Sequence, residues 1–136
     1  FELDKPTTKM KLIICFFIVV LYSIVVSSEQ YTNKYDNVDI DQILRSDRLL
    51  KNYVNCLLEK GKCSPDGAEL KKNLPDALKT ACEKCNDKQK NASKKIINFL
   101  LENKREWWNE LEKKYDPEGL YRKRYEEEAH KQGIKL

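Results

Sequence analysis

Four cysteines, Cys56, Cys63, Cys82 and Cys85, follow one another with the spacing C-x6-C-x18-C-x2-C. An even cysteine set in a small exported chain is usually a disulfide framework. Both outer gaps are short, so the natural pairs are the local ones, Cys56–Cys63 and Cys82–Cys85. Local staples do not tie distant segments together. A packed apolar core must therefore hold this fold, and the question of function becomes what that core encloses.

Export is read from the N-terminal segment. Met10 and Lys11 precede an apolar run, Leu12 to Val26, that ends in the small-residue exit Val26-Ser27-Ser28. A positive residue, an apolar stretch and small residues at the exit form the pattern of a signal peptide. A transmembrane anchor is the rival, but the run falls short of the ~20 residues of a spanning helix and is interrupted by Tyr22 and Ser23. The expected division is an upstream leader over residues 1–9, a signal peptide over 10–28 and a secreted, extracellular domain over 29–136. Cleavage would remove Cys15 and turn an odd count of five cysteines into an even four, as a secreted chain without a free thiol requires.

The formal net charge of +4 at pH 7 is spread along the chain. It speaks for solubility and not for a nucleic-acid footprint, which needs a concentrated basic stripe. The length suits one domain. Lys, Glu, Leu and Asn dominate and no stretch alternates with period two, so the expected fold class is all-α. Residues 29–37 read as an extended arm. Asp36 or Asn37 caps a short helix through Leu44, and Ser46 or Asp47 caps a second. The second has a broad apolar face of Leu49, Leu50, Tyr53, Val54, Leu57 and Leu58, closed by Gly61. Ser64-Pro65-Asp66 starts a third helix as N-cap, N1 proline and first-turn acid. Pro75 within it should kink or split it. Asn86 or Asp87 opens a fourth helix carrying Ile96, Ile97, Phe99, Leu100 and Leu101, and a fifth carries Trp107, Trp108, Leu111 and Tyr115. Asp116-Pro117-Glu118 starts the last. The expectation is a single compact domain of about six short helices.

Several stretches then converge. The arm reads Tyr31-Thr-Asn-Lys-Tyr-Asp-Asn-Val-Asp-Ile-Asp-Gln-Ile-Leu44, and the first stapled loop Asn55-Cys-Leu-Leu-Glu-Lys-Gly-Lys-Cys-Ser-Pro-Asp-Gly67. Leu74-Pro-Asp-Ala-Leu78 and Cys82-Glu-Lys-Cys85 follow, then Trp108-Asn-Glu-Leu-Glu-Lys-Lys-Tyr-Asp-Pro117 and Tyr121-Arg-Lys-Arg-Tyr125. With the cysteine spacing, these closely resemble the insect chemosensory proteins, the OS-D family, over the whole mature chain. The resemblance implies six helices around a hydrophobic channel, disulfides Cys56–Cys63 and Cys82–Cys85, and a small soluble carrier of long-chain alcohols, acids, esters and pheromone-like compounds. Some members act instead in development, regeneration or cuticle through protein partners, so the family sets the fold more firmly than the role.

Other chemistries find little footing. Cys82-Glu-Lys-Cys85 has redox spacing but lacks the βαβ context of a thioredoxin site, and at i, i+3 its Cα atoms lie within disulfide range. A four-cysteine zinc site is disfavoured by the x6 gap and by export. The one histidine, His130, sits in a charged tail, and no phosphate loop, nucleophile elbow or metal-ligand spacing occurs. No enzyme activity, cofactor or metal is expected. Asn91-Ala-Ser93 is a glycosylation sequon early in a helix. The expected partners are small hydrophobic ligands delivered to a membrane or receptor by a monomer, without nucleic acid. The candidate lining residues are Ile43, Leu49, Tyr53, Leu57, Leu70, Leu74, Ile96, Leu100 and Trp108. Adjacent helical residues differ by about 100°, so Trp108, three before Leu111, is taken as the inward tryptophan and Trp107 as the more exposed one.

Overall fold

In the computed structural model, residues 7–22, 29–131 and 133 are described. They form α1 (Thr8–Tyr22), α2 (Ile40–Arg45), α3 (Asp47–Leu57), α4 (Pro65–Thr80), α5 (Asp87–Asn103), α6 (Arg105–Tyr115) and α7 (Leu120–Lys131), with no strand among the described residues. The α1 helix covers the start of the apolar N-terminal run, and its Leu12, Phe16 and Phe17 are exposed. No helix among the described residues is long and apolar enough to cross a membrane. The end of the expected signal peptide lies outside the described residues.

Helix starts follow local polar chemistry. The Ser46 side chain accepts from the Leu49 N–H, and that of Ser64 from the Gly67 N–H, with Pro65 at the first helical position. Asn86 and Gln89 form a capping box, each side chain accepting from the other's backbone N–H. Helix α2 departs from expectation. Its cap is Asp39, which accepts from the Gln42 N–H, because Asp36 is engaged elsewhere. The segment before it is not extended. Asp36 N–H donates to the Asn33 carbonyl and Val38 N–H to the Tyr35 carbonyl, coiling the arm into turns.

Three further boundaries are corrected. Helix α3 is closed by Glu59, not Gly61. Glu59 takes φ 61, its N–H donates to Cys56 and that of Lys60 to Asn55, which is the Schellman pattern. At Gly61 a Cβ would lie 3.3 Å from the Asn55 Cβ, a tight contact that a small shift of the neighbour would relieve. Pro75 does not split α4, which runs unbroken from Pro65 to Thr80. Its ring is exposed, and the one backbone bond it forfeits is set against half-buried Leu74 and Leu78 on either side. The last helix begins at Leu120, after a turn in which Gly119 takes φ 66. Asp116 caps it from a distance, accepting from the N–H groups of Tyr121 and Arg122.

The core lies between α2, α3, α5 and α6. Leu44, Leu50, Val54, Leu57, Leu100 and Leu111 are buried in one cluster. Partly buried Ile40, Ile43, Leu58, Leu74, Ile96, Phe99, Trp107, Trp108 and Tyr115 pack against it. Both tryptophans therefore reach the core, against the expectation of one. Leu111 is buried at i+4 from Trp107 and i+3 from Trp108, so the two rings occupy the rows on either side of it.

Both disulfides are present, Cys56–Cys63 and Cys82–Cys85, with Cα–Cα distances of 4.9 and 5.0 Å. Each closes a small ring, so loop entropy assigns each about 2 kcal/mol. Reduction of both is expected to lower the melting temperature and leave the helical circular dichroism spectrum intact at 25 °C. Collapse of the helical signal on reduction would show the staples, not the core, to be the main support.

Candidate functional site

The apolar interior is walled on one side by α3. Leu49, Tyr53 and Leu57 fall on one i, i+4 row, and buried Leu50 and Val54 adjoin it. Helix α4 packs against α3 and presents Asp66, Leu70, Leu74 and Leu78 on a single row. Gly67 is the one buried residue of α4. A Cβ there would lie 3.4 Å from the Cys56 sulfur and 3.5 Å from Tyr53 Cδ1, so the first turn sits flush on α3. Beyond that turn the contact loosens, with Leu74 and Leu78 half-buried and Leu70 43% exposed.

Of the nine expected lining residues, Leu57 and Leu100 are in the buried cluster, and Ile43, Leu74, Ile96 and Trp108 pack against it. Leu49, Tyr53 and Leu70 belong to neither group, the first two half-buried and Leu70 exposed. Leu44, Leu111 and Phe99, absent from that set, belong to the same apolar body. Their helical spacing marks them as core and does not sort them from lining.

Polar side chains hold the rim. Tyr53 Oη donates to Asp66, coupling α3 to the start of α4. Burial, then the hydrogen bond to Asp66, raises the Tyr53 phenol pKa. Burial pushes the Asp66 carboxyl up, but bonds from Ser64, Tyr53 and nearby backbone N–H groups outweigh it and hold the group below its ordinary value. Tyr115 Oη donates to the Leu57 carbonyl at 2.7 Å, and Tyr125 Oη to the Leu78 carbonyl at 2.5 Å. Arg124 donates to the Lys79 carbonyl at 2.7 Å. The last carbonyls of α3 and α4 are thus satisfied by side chains from α6 and α7. Glu59 meets Lys71 at 3.3 Å and Lys114 at 2.8 Å, joining the end of α3 to α4 and α6.

The arm is fastened at the far end of α4. Tyr31 Oη donates to Asp76 Oδ2 at 2.5 Å and its N–H to the Lys84 carbonyl at 3.0 Å. Asp36 accepts from Asn86 Nδ2 at 2.6 Å and Gln89 Nε2 at 2.9 Å, the same two residues that cap α5. These contacts span 45 to 53 positions in sequence and no local pattern announces them.

A concavity also lies against the apolar body, with Leu44 and Phe99 in its lining. It is an open groove of about 580 Å³ bordered by Asp41, Arg45, Asp47, Lys95 and Glu102, and it shares none of the nine expected lining residues. Its charged rim, crossed by the Lys95–Asp41 ion pair, does not suit an oily guest. Among the described residues no cluster of histidine, cysteine and acidic side chains could hold a metal.

Comparison with known proteins agrees with this architecture. The model of the insect pheromone-binding family, A10/OS-D, matches residues 31–123. Ejaculatory bulb-specific protein 3 of Drosophila melanogaster is 50% identical over 127 residues, 93% of this chain and all of its own. A solved chemosensory protein in complex with bromo-dodecanol is 49% identical with a TM-score of 0.68, covering 73% of this chain and 99% of that one. The antennal chemosensory protein A6 of the moth Mamestra brassicae gives 49% identity and a TM-score of 0.62, over 78% of this chain and 98% of its own.

Burial, then the bond to Asp76, raises the Tyr31 phenol from 10.0 to about 12. The folded state thus favours the protonated phenol. That stabilisation is whole below pH 10 and is lost as pH rises through about 12. Thermal melts across this window should show an alkaline loss of stability that Tyr31→Phe reduces. An unchanged pH profile in the variant would remove Tyr31 as the source.

Proposed function

The chain belongs to the insect pheromone-binding family A10/OS-D, and from that premise we propose that it is a secreted carrier of small hydrophobic molecules. It takes them up reversibly in the apolar space between α3, α4 and the tryptophans of α6. The family is one of binding proteins and not of enzymes. The observation that carries the reading is the loosely seated wall: none of Leu70, Leu74 and Leu78 is buried, although each lies on the row of α4 that begins over Tyr53. A normal core packs to a density near 0.75 and leaves no room for an alkyl chain. A wall of half-buried leucines can move aside for one.

Export is supported by the apolar α1, where Leu12, Ile13, Phe16 and Phe17 lie exposed, and by the odd cysteine, Cys15, which is free and exposed while the other four are paired. The bromo-dodecanol bound to the solved relative suggests a saturated chain of similar length as the ligand class. Ile43, Leu49, Tyr53, Leu57, Leu70, Leu74, Ile96, Leu100 and Trp108 remain the proposed lining. Such a ligand gains affinity from area, about 25 cal/mol per Å² less the cost of ordering. Micromolar binding, roughly −8 kcal/mol, is the expected scale.

Both tryptophans touch the apolar body, so ligand entry should quench their fluorescence. In a series of straight-chain primary alcohols, each added methylene is worth about 0.8 kcal/mol, a gain of about fourfold in affinity, until the space is filled. Trp108→Ala should weaken binding and diminish the quenching. No saturable quenching at any chain length would contradict the carrier reading.

A further inference from the structure

We propose that Asn91 is an N-glycosylation site, loaded with an oligosaccharide during export, and that the sugar stands on the solvent face of α5, clear of the apolar space. The proposal rests on the export half of the secreted-carrier reading and adds a covalent modification to it.

Asn91-Ala92-Ser93 is the one stretch of the chain in which an asparagine is followed two positions on by serine or threonine, and neither Ala92 nor Lys94 is proline. The fold leaves this amide free. Asn91 is exposed in the second turn of α5, and its side chain enters no hydrogen bond or ion pair among the described residues. Asn73, Asn86 and Asn103, by contrast, spend theirs on Glu69, on Asp36 and on the Phe99 carbonyl. At about 100° per residue, Asn91 lies opposite buried Leu100. Asp87, Lys88, Lys94, Lys95 and Glu102, all exposed, share its side of the helix in one solvent stripe. A bulky hydrophilic group there displaces no packed side chain. Ile96 and Leu100 are the α5 residues of the proposed lining, and Asn91 is turned away from both, so a sugar on it leaves the apolar space open.

The same geometry sets when attachment occurs. In the folded helix Ser93 lies about 200° around from Asn91, and its hydroxyl donates to the Gln89 carbonyl at 2.8 Å. Amide and hydroxyl face apart, so the tripeptide offers an enzyme no shared surface once α5 has formed. Transfer therefore belongs to the unfolded chain as it enters the secretory pathway. The donor is a lipid-linked oligosaccharide diphosphate. Its anomeric C–O bond breaks, a C–N bond forms to Asn91 Nδ2, the amide gives up one proton and the lipid diphosphate leaves. Folding then turns the Ser93 hydroxyl onto Gln89 and keeps the sugar outside.

Mass spectrometry of the full chain, expressed in insect cells with its own N-terminal segment, tests this. The secreted protein should exceed its sequence mass, lose the excess to a peptide N-glycosidase, and then carry aspartate at position 91. Asn91→Gln and Ser93→Ala should each be secreted without the added mass, and Ser93→Thr should keep it. Enzymatic removal of the sugar should leave dodecanol affinity unchanged. Secretion wholly at the unmodified mass, or an added mass that survives Ser93→Ala, would overturn the site and leave the carrier standing. Retention of the chain in the cytosol would overturn export and the site together. A tenfold change in dodecanol affinity on deglycosylation would overturn the placement of the sugar away from the apolar space.

Discussion

The apolar row of α3 is the surface on which the remaining helices depend. The helices of the folded body run from 6 to 17 residues, and isolated helices of that length are marginal in water. Leu50, Val54 and Leu57 give them something to bury against: Leu44 from α2, Leu100 from α5 and Leu111 from α6 close over them. Removing one large side chain from such a cluster typically costs 2–5 kcal/mol, a large share of the stability of a small domain. The disulfides sit at helix ends and add to this core without substituting for it.

Polar contacts do a separate job. They fix chiefly where each short helix begins and stops. Tyr115 and Tyr125 reach across to the last carbonyls of α3 and α4, Asp116 collects the first N–H groups of α7, and Asp36 is held by the capping pair of α5. Most of the ion pairs are solvent-exposed and contribute little individually. The result is a bundle fastened at its corners, with α4 bearing on α3 closely at Gly67 and more loosely along its length. Entry of an oily guest calls for that distribution of stiffness, since opening a wall costs less than unfolding a corner.

Local chemistry made much of this readable before any coordinates. Ser46, Ser64 with Pro65, and Asn86 with Gln89 act as caps because a short polar side chain satisfies the first N–H groups wherever a helix starts. The cysteine pairing follows from proximity in sequence. Tertiary demands stayed hidden. Asp36 does not cap α2 because Asn86 and Gln89, some fifty residues on, claim its carboxylate. Glu59 takes the left-handed position that glycine usually fills, and its carboxylate meets Lys71 and Lys114. The tryptophan pair was misjudged because an angular argument places residues on a helix but says nothing of how broadly a neighbour covers it. Periodicity likewise finds the apolar faces and cannot rank Leu70, which is exposed, below Leu74, which packs on the core.

The central claim is that α4 is the yielding wall of an otherwise firm apolar body. Amide hydrogen exchange followed by mass spectrometry, with and without saturating dodecanol, addresses it directly. In the free protein, the Leu70–Thr80 part of α4 should exchange faster than the middles of α3 and α5, and ligand should slow α4 selectively. Exchange in α4 as slow as in α3 without ligand, or protection spread evenly over the chain on binding, would contradict the account.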